Sequence, residues 1–254
     1  MVDSRATTGA ALIQETLAAR GAKALTAEIV SGRLAPGARV DLAHYASRWH
    51  VSITPVRDAI KQLESLGFLQ VQPRRGVFVA ELTAKDVKDI FDVRTALETA
   101  AIKLATPLIP TEKISRALAL YIQARNTSGR SRARILPQVD LLIHTLALQY
   151  CDNPRLQATV ANMTDLIKWC QRTFITHSAE PFSDTLPEHI AICEAVRDRD
   201  PERAAKAMQI HLTNTSIRIQ HFLAARTPSA TEGRAGKPAG RRLQGPRHRG
   251  GSLE

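Results

Sequence analysis

Two hydrophobic periodicities divide the chain. Up to about residue 80, short helical stripes give way to strand-like runs. Beyond residue 83 only helical spacing remains. Residues 10–20 carry helical spacing through Leu12, Ile13 and Leu17, and residues 22–31 through Leu25, Ile29 and Val30. A Gly-Arg-Leu break and a Pro36-Gly37 turn follow, then a second short helix over residues 43–51. Val56, Ala59, Ile60, Leu63 and Leu66 make one apolar face of a third helix. Ser52 and Thr54 are N-cap residues for it, Pro55 suits its first position, and Gly67 stops it. Residues 68–71 and 77–80 then read as two strands around the turn Pro73-Arg74-Arg75-Gly76.

The remainder predicts helices only. Thr83 opens the first, with Asp86 completing a capping box, and it runs to residue 105 with Val87, Ile90, Phe91, Arg94, Leu97 and Glu98 close to one face. Further helices are expected over residues 111–125, 135–151, 155–174, 186–197 and 201–226. Polar loops over 126–134 and 177–185 separate them. The fold class is mainly α: a three-helix unit with a β-hairpin, then an all-α bundle. The expected boundaries are a 1–19 extension, a 20–80 first domain, an 81–227 helical domain and a 228–254 tail. The tail is rich in Gly, Pro and Arg and is not expected to pack.

Charge sharpens this division. The net charge is +11. Residues 20–80 hold nine Lys/Arg against four Asp/Glu, and residues 228–254 hold six against two. The middle is close to neutral, so a polyanionic partner is expected at the two ends. The three cysteines, Cys151, Cys170 and Cys193, are scattered and odd in number, which implies reduced thiols of a cytoplasmic protein. No apolar run approaches the ~20 residues of a membrane span, and the N-terminus lacks the apolar core of a signal peptide.

The order of elements in the first domain reads as a helix-turn-helix with a β-wing. It resembles the winged helix of the GntR family of bacterial transcription regulators through Gly32, Leu34, Pro36, Gly37, Ala46, Val51, Ser52, Thr54, Pro55, Val56, Arg57, Ala59, Leu63, Gly67 and Gly76. The resemblance implies a double-stranded DNA operator read by Arg39, Ser52, Thr54, Arg57, Lys61, Arg74, Arg75 and Gly76. Arg57, near the start of the third helix, reaches base edges or phosphates. Two positions depart from the family: Ile53 stands where many relatives carry Arg, and Ala43 where many carry a basic residue. One reading head per chain implies a homodimer on a pseudo-palindromic site.

In the helical domain, four polar residues fall on apolar faces. Asp140 and His144 are four apart on one helix; His189 and His211 lie on two others. Each alone reads as a hydrogen-bonded core residue, since burial without a partner is costly. Together, with Val93-Arg94, Leu97-Glu98, Asn153 and Glu188-His189, they resemble the metal site of the FCD effector domain, in its six-helix form. The resemblance implies that Asp140, His144, His189 and His211 bind a divalent Zn, Ni, Mn or Fe ion, with a small carboxylate effector joining it. Arg94 either holds the far end of that effector or pairs with Glu98 one turn along.

A ligand-responsive transcription regulator, a repressor rather than an enzyme, is therefore expected. A metal-dependent hydrolase is disfavoured, because HExxH, GxSxG, P-loop and GxGxxG patterns are absent and the one carboxylate near enough to be a base, Glu188, should point its side chain away from His189. A non-specific architectural DNA binder would suit the tail and leave the four buried polar residues without a purpose.

Overall fold

The computed structural model describes residues 15–175 and 185–226. Most of the expected N-terminal extension, most of the loop before residue 185 and the basic tail lie outside the described residues.

Helix α1 (Leu17–Val30) starts at Thr16, whose hydroxyl accepts the Ala19 amide at 3.1 Å. It begins inside the span expected as an extension and unites two segments read as separate. Gly21 does not break it. A Cβ there would lie 2.6 Å from Trp49 Cζ3, so the missing side chain makes room for the indole of the next helix. Helix α2 (Leu42–Trp49) is capped by Asp41 and ends at His50, whose φ is 54°. Helix α3 (Ile53–Ser65) follows after Val51 and Ser52, with Val56, Ala59, Ile60 and Leu63 buried. Pro55 is its third residue rather than its first, still within the turn where an amide has no helical acceptor. Leu66, expected on the apolar face, is exposed.

The wing has three strands where two were expected. Strands β1 (Arg39–Val40), β2 (Leu69–Gln72) and β3 (Gly76–Val79) form an antiparallel sheet in the order β1-β3-β2. Leu69 pairs with Val79, Val71 with Val77 and Arg39 with Phe78. A two-residue strand is too short to print an alternation in the sequence.

The helical domain comprises α4 (Ala84–Ala105), α5 (Thr111–Arg125), α6 (Gly129–Val139), α7 (Leu142–Tyr150), α8 (Pro154–Ile175), α9 (Leu186–Arg197) and α10 (Pro201–Arg226). The Thr83–Asp86 capping box forms as expected. Helices α4 and α10 pack along each other, and α5 packs on α9. The single helix expected over residues 135–151 is broken at Asp140–Leu141, and helix begins at Gly129 within the expected loop. Seven helical segments therefore stand among the described residues where six were expected. At the break, the Tyr121 hydroxyl donates to the Val139 carbonyl at 2.7 Å and accepts the Ile143 amide at 3.1 Å. Those two backbone groups would otherwise pair with each other.

Each domain has its own core, and α8 reaches from the helical domain into that of the head. Trp169 of α8, only 4% exposed, sits among the buried residues of the winged head, its ring 5.2 Å from Phe68. Leu166, one turn earlier, packs against the same cluster. None of the described helices is long and apolar enough to cross a membrane.

Candidate metal centre and nucleic-acid interface

Three buried histidines converge between helices of the second domain. His144 comes from the first turn of α7, His189 from α9 and His211 from α10, each 5% exposed or less. One nitrogen from each lies within 4.8 Å of the others, so the three could hold a metal ion. The Nε2 atoms of His144 and His189 are 3.4 Å apart. Two nitrogens held at about 2.0–2.1 Å by one tetrahedral ion stand roughly that far apart.

Carboxylates hold the outer nitrogens of two of these rings. Glu98 of α4 accepts from His144 Nδ1, and Glu188 accepts from His211 Nδ1 at 2.8 Å. A proton on Nδ1 leaves the Nε2 lone pair free for a ligand. Glu188 is itself held by Asn214 at 2.8 Å and by both terminal nitrogens of Arg218. Sequence reading placed Glu188 away from His189, and it serves His211 instead. His189 differs from its two companions: its Nδ1 is buried with no hydrogen-bond partner among the described residues.

The electrostatics favour a neutral ring at His189 and at His211. Burial pushes His189 well below the ordinary imidazole range, and nearby His211, His144 and Arg94 push the same way. Burial also takes His211 down to about 4, although its bond to Glu188 opposes this. Burial alone would raise the Glu98 carboxyl. Arg94 and His144 outweigh it and hold Glu98 well below the usual carboxylate range. The site thus sets charged carboxylates behind two of its three nitrogen donors.

Asp140 takes a different place from the three histidines. It caps the C-terminus of α6, and its Oδ2 accepts from Gln171 of α8 at 3.4 Å. Burial raises its pKa, with His144 and Arg94 opposing. Arg94 is 2% exposed and bonds Glu98 through Nε at 2.6 Å, with its guanidinium 5.2 Å from the centre of the Phe91 ring. Its Nη1 is buried and unpartnered among the described residues. The ion pair with Glu98 therefore forms and still leaves a donor available.

On the winged head, Ser52 at the N-cap of α3 and Thr54, Arg57 and Lys61 along it are exposed. Arg57 makes no hydrogen bond or ion pair with the described residues, and Lys61 lies 3.8 Å from Asp58. The Ser52 hydroxyl makes no capping bond. The wing tip turns tightly through Arg74, whose φ is 62°, with the Arg75 amide donating to the Gln72 carbonyl at 3.0 Å. Gly76 has a φ of 118°, and a Cβ there would meet Arg39 Nε at 3.2 Å. Glycine at 76 thus lets the Arg39 side chain lie over the wing backbone. These cationic side chains are exposed together on a domain whose core holds their backbones.

Residues 17–79 match the family of bacterial regulatory proteins described as gntR, and residues 89–214 match the FCD domain. The chain belongs to the GntR family, and its helical half is an FCD domain. It is 29% identical over 202 residues to the HTH-type transcriptional regulator YdhC of Bacillus subtilis (strain 168), covering 77% of this chain and 87% of that protein. It is 26% identical over 198 residues to the HTH-type transcriptional repressor RspR of Escherichia coli (strain K12), covering 78% and 86%. The solved fold of a GntR-type transcriptional regulator from Rhodococcus sp. RHA1 superposes with a TM-score of 0.63 at 20% identity, covering 80% of this chain and 97% of that one. That of Escherichia coli McbR/YncC gives 0.61 at 20%, covering 82% and 100%. GntR proteins of this kind regulate transcription and are not enzymes. The winged head of this GntR chain spans α1 to β3, and its FCD half contains all three histidines together with Arg94 and Glu98.

Sequence reading named Glu98 and Glu188 as matches to the FCD site without giving either a histidine to hold. Within its own helix Glu98 shows only as the i+4 partner of Arg94; its bond to His144 crosses 46 residues. Glu188 adjoins His189 in sequence, and no local signal points it to α10.

Proposed function

We propose that this chain is a repressor that reads a two-fold operator as a homodimer and is switched by a small carboxylate bound beside a divalent metal ion. The observation that carries this reading is the buried trio of histidines, two with their outer nitrogens held by carboxylates, beside an arginine with an unused donor. Nothing in an ordinary hydrophobic core calls for that set. His144, His189 and His211 would hold the ion, and Asp140, four residues before His144 across the helix break, would supply the fourth donor. Zn²⁺, Ni²⁺, Mn²⁺ and Fe²⁺ all suit three imidazoles and a carboxylate. A bound divalent ion supplies a Lewis-acidic point at which an organic acid attaches. Arg94 Nη1 then takes the other end of that acid.

The contacts of α8 support a route to DNA. Gln171 bonds Asp140, the proposed fourth donor, and Trp169, two residues earlier, fills the core of the winged head. An effector that moves α8 changes the seat of the head. It alters operator affinity to the extent that it prefers one arrangement over the other. Release from DNA is the expected direction. Arg57, Lys61, Ser52 and Thr54 on α3, with Arg39, Arg74, Arg75 and Gly76 at the wing, form the proposed operator surface. One head reads one half-site, so two-fold pairing follows from operator geometry.

The test combines elemental analysis of wild type and the Asp140→Ala, His144→Ala, His189→Ala and His211→Ala variants with operator binding across a panel of carboxylates. Near-stoichiometric metal in wild type, lost in the histidine variants, is expected. Wild type that takes up no metal after incubation with Zn²⁺, Ni²⁺ or Mn²⁺ refutes the centre. Sedimentation as a monomer at micromolar concentration with full operator affinity refutes the dimer. A footprint without sequence preference would favour an architectural role.

A further inference from the structure

The three histidines are not held alike. His144 and His211 each have a carboxylate on Nδ1, whereas His189 Nδ1 has no partner among the described residues. The ring stacked on His189 is Tyr121 of α5, with centroids 5.0 Å apart and planes inclined by 20°. Tyr121 is fully buried. Its hydroxyl also lies at the break between α6 and α7, bonded to the Val139 carbonyl and the Ile143 amide. Those groups are four residues apart, the spacing of one helical hydrogen bond. The hydroxyl has taken the place of that bond, which is a recognised way to break a helix. Asp140 lies just inside this interruption and His144 just beyond it.

We infer that Tyr121 is the positioning residue of the metal centre. Its hydroxyl sets where Asp140 and His144 stand, and its ring sets the plane of His189. In an unbroken helix Asp140 and His144 would stack one turn apart on one face. With the hydroxyl inserted, Asp140 ends α6 and reaches Gln171 of α8, while His144 starts α7 and reaches Glu98. Tyr121 is anchored in α5, which packs on α9, the helix that carries His189. One side chain thus ties the α7 part of the donor set to the α9 part.

This role rests on the metal reading above, and Co²⁺ separates the two. Wild type and Tyr121→Phe are stripped with chelator and titrated with Co²⁺, following visible absorption and melting temperature. Phe keeps the stacked ring and removes the hydroxyl, so the Ile143 amide and Val139 carbonyl can pair directly. The expected result is a Co²⁺ affinity lower by about 10–100-fold and displaced absorption bands. Tyr121→Leu, which also removes the ring, loses more. In each variant the rise in melting temperature on adding Co²⁺ is compared with the metal-free form of the same variant, so lowered baseline stability does not mimic lost binding. If wild type takes up Co²⁺ and Tyr121→Phe matches it in affinity and spectrum, the hydroxyl is a structural helix break only and the inference is overturned. If wild type takes up no Co²⁺, the metal centre fails and this role with it.

Discussion

Replacing Trp169 by Ala tests whether α8 joins the two domains energetically. The indole leaves the helical domain and fills the core of the winged head against Phe68, only 4% exposed. A buried aromatic removes roughly 150–250 Å² from water, worth about 4–6 kcal/mol at ~25 cal/mol per Å². The methyl of Ala keeps a little of this, and Trp→Ala changes in cores cost about 3–5 kcal/mol. Because the side chain belongs to one domain and its socket to the other, the loss falls on docking and on the head. A loss of about 4 kcal/mol falling on a head of this size lowers its melting temperature by roughly 16–32 °C, at about 4–8 °C per kcal/mol. The chain has two tryptophans, and the other, Trp49, packs over Gly21 in the head. In the variant, tryptophan fluorescence therefore reads the head alone, while circular dichroism at 222 nm reads all helices. In wild type the two melting curves should coincide. In Trp169→Ala the fluorescence transition should precede the dichroism transition, and Trp169→Phe should restore most of the overlap. Coincident curves in the alanine variant, with a midpoint within about 2 °C of wild type, would refute the argument that the indole couples the domains.

Arg57→Ala should weaken operator binding by about 1–3 kcal/mol more than non-specific binding, whereas Arg74→Ala and Arg75→Ala should mainly reduce the salt slope. Equal losses on all DNA sequences would make Arg57 a phosphate contact. The metal-free protein should lose stability in acid. Burial lowers His211 in the fold from 6.5 to about 4, so the unfolded chain binds its proton first. That contribution is complete above about pH 6.5 and is lost as pH falls toward 4, on the order of 3 kcal/mol at 1.36 kcal/mol per unit. A melting temperature flat from pH 7 to 4.5 in chelator contradicts this. Arg199→Ala removes guanidinium bonds to the Thr106 carbonyl at 2.8 Å, the Ile109 carbonyl at 2.7 Å and the Thr111 hydroxyl, which close the turn between α4 and α5. A stability loss of about 1–3 kcal/mol is expected in urea unfolding, with the midpoint shifted and the slope unchanged; an unshifted midpoint would show the bonds to be dispensable.

Local pattern carried much of this protein. The caps at Thr83 and Asp86, the apolar stripe Val56–Ala59–Ile60–Leu63 and the glycine and proline punctuation depend on neighbours within a few residues, so helices α3 to α5 and strands β2 and β3 are legible in order. The histidines were legible too, because His144, His189 and His211 each interrupt an apolar face. Tertiary structure decided what those faces meet. A period of 3.6 tells which side of α8 is apolar and not that Trp169 belongs to the other domain's core. Spacing of four places Asp140 beside His144 in an ideal helix, until a hydroxyl from α5, 22 residues before Ile143, replaces one backbone bond and breaks that helix. Glu98 meets His144 across 46 residues, and His189 meets it across 45. Such contacts form only when the bundle closes, because burial selects for polar groups that find partners wherever the chain brings them.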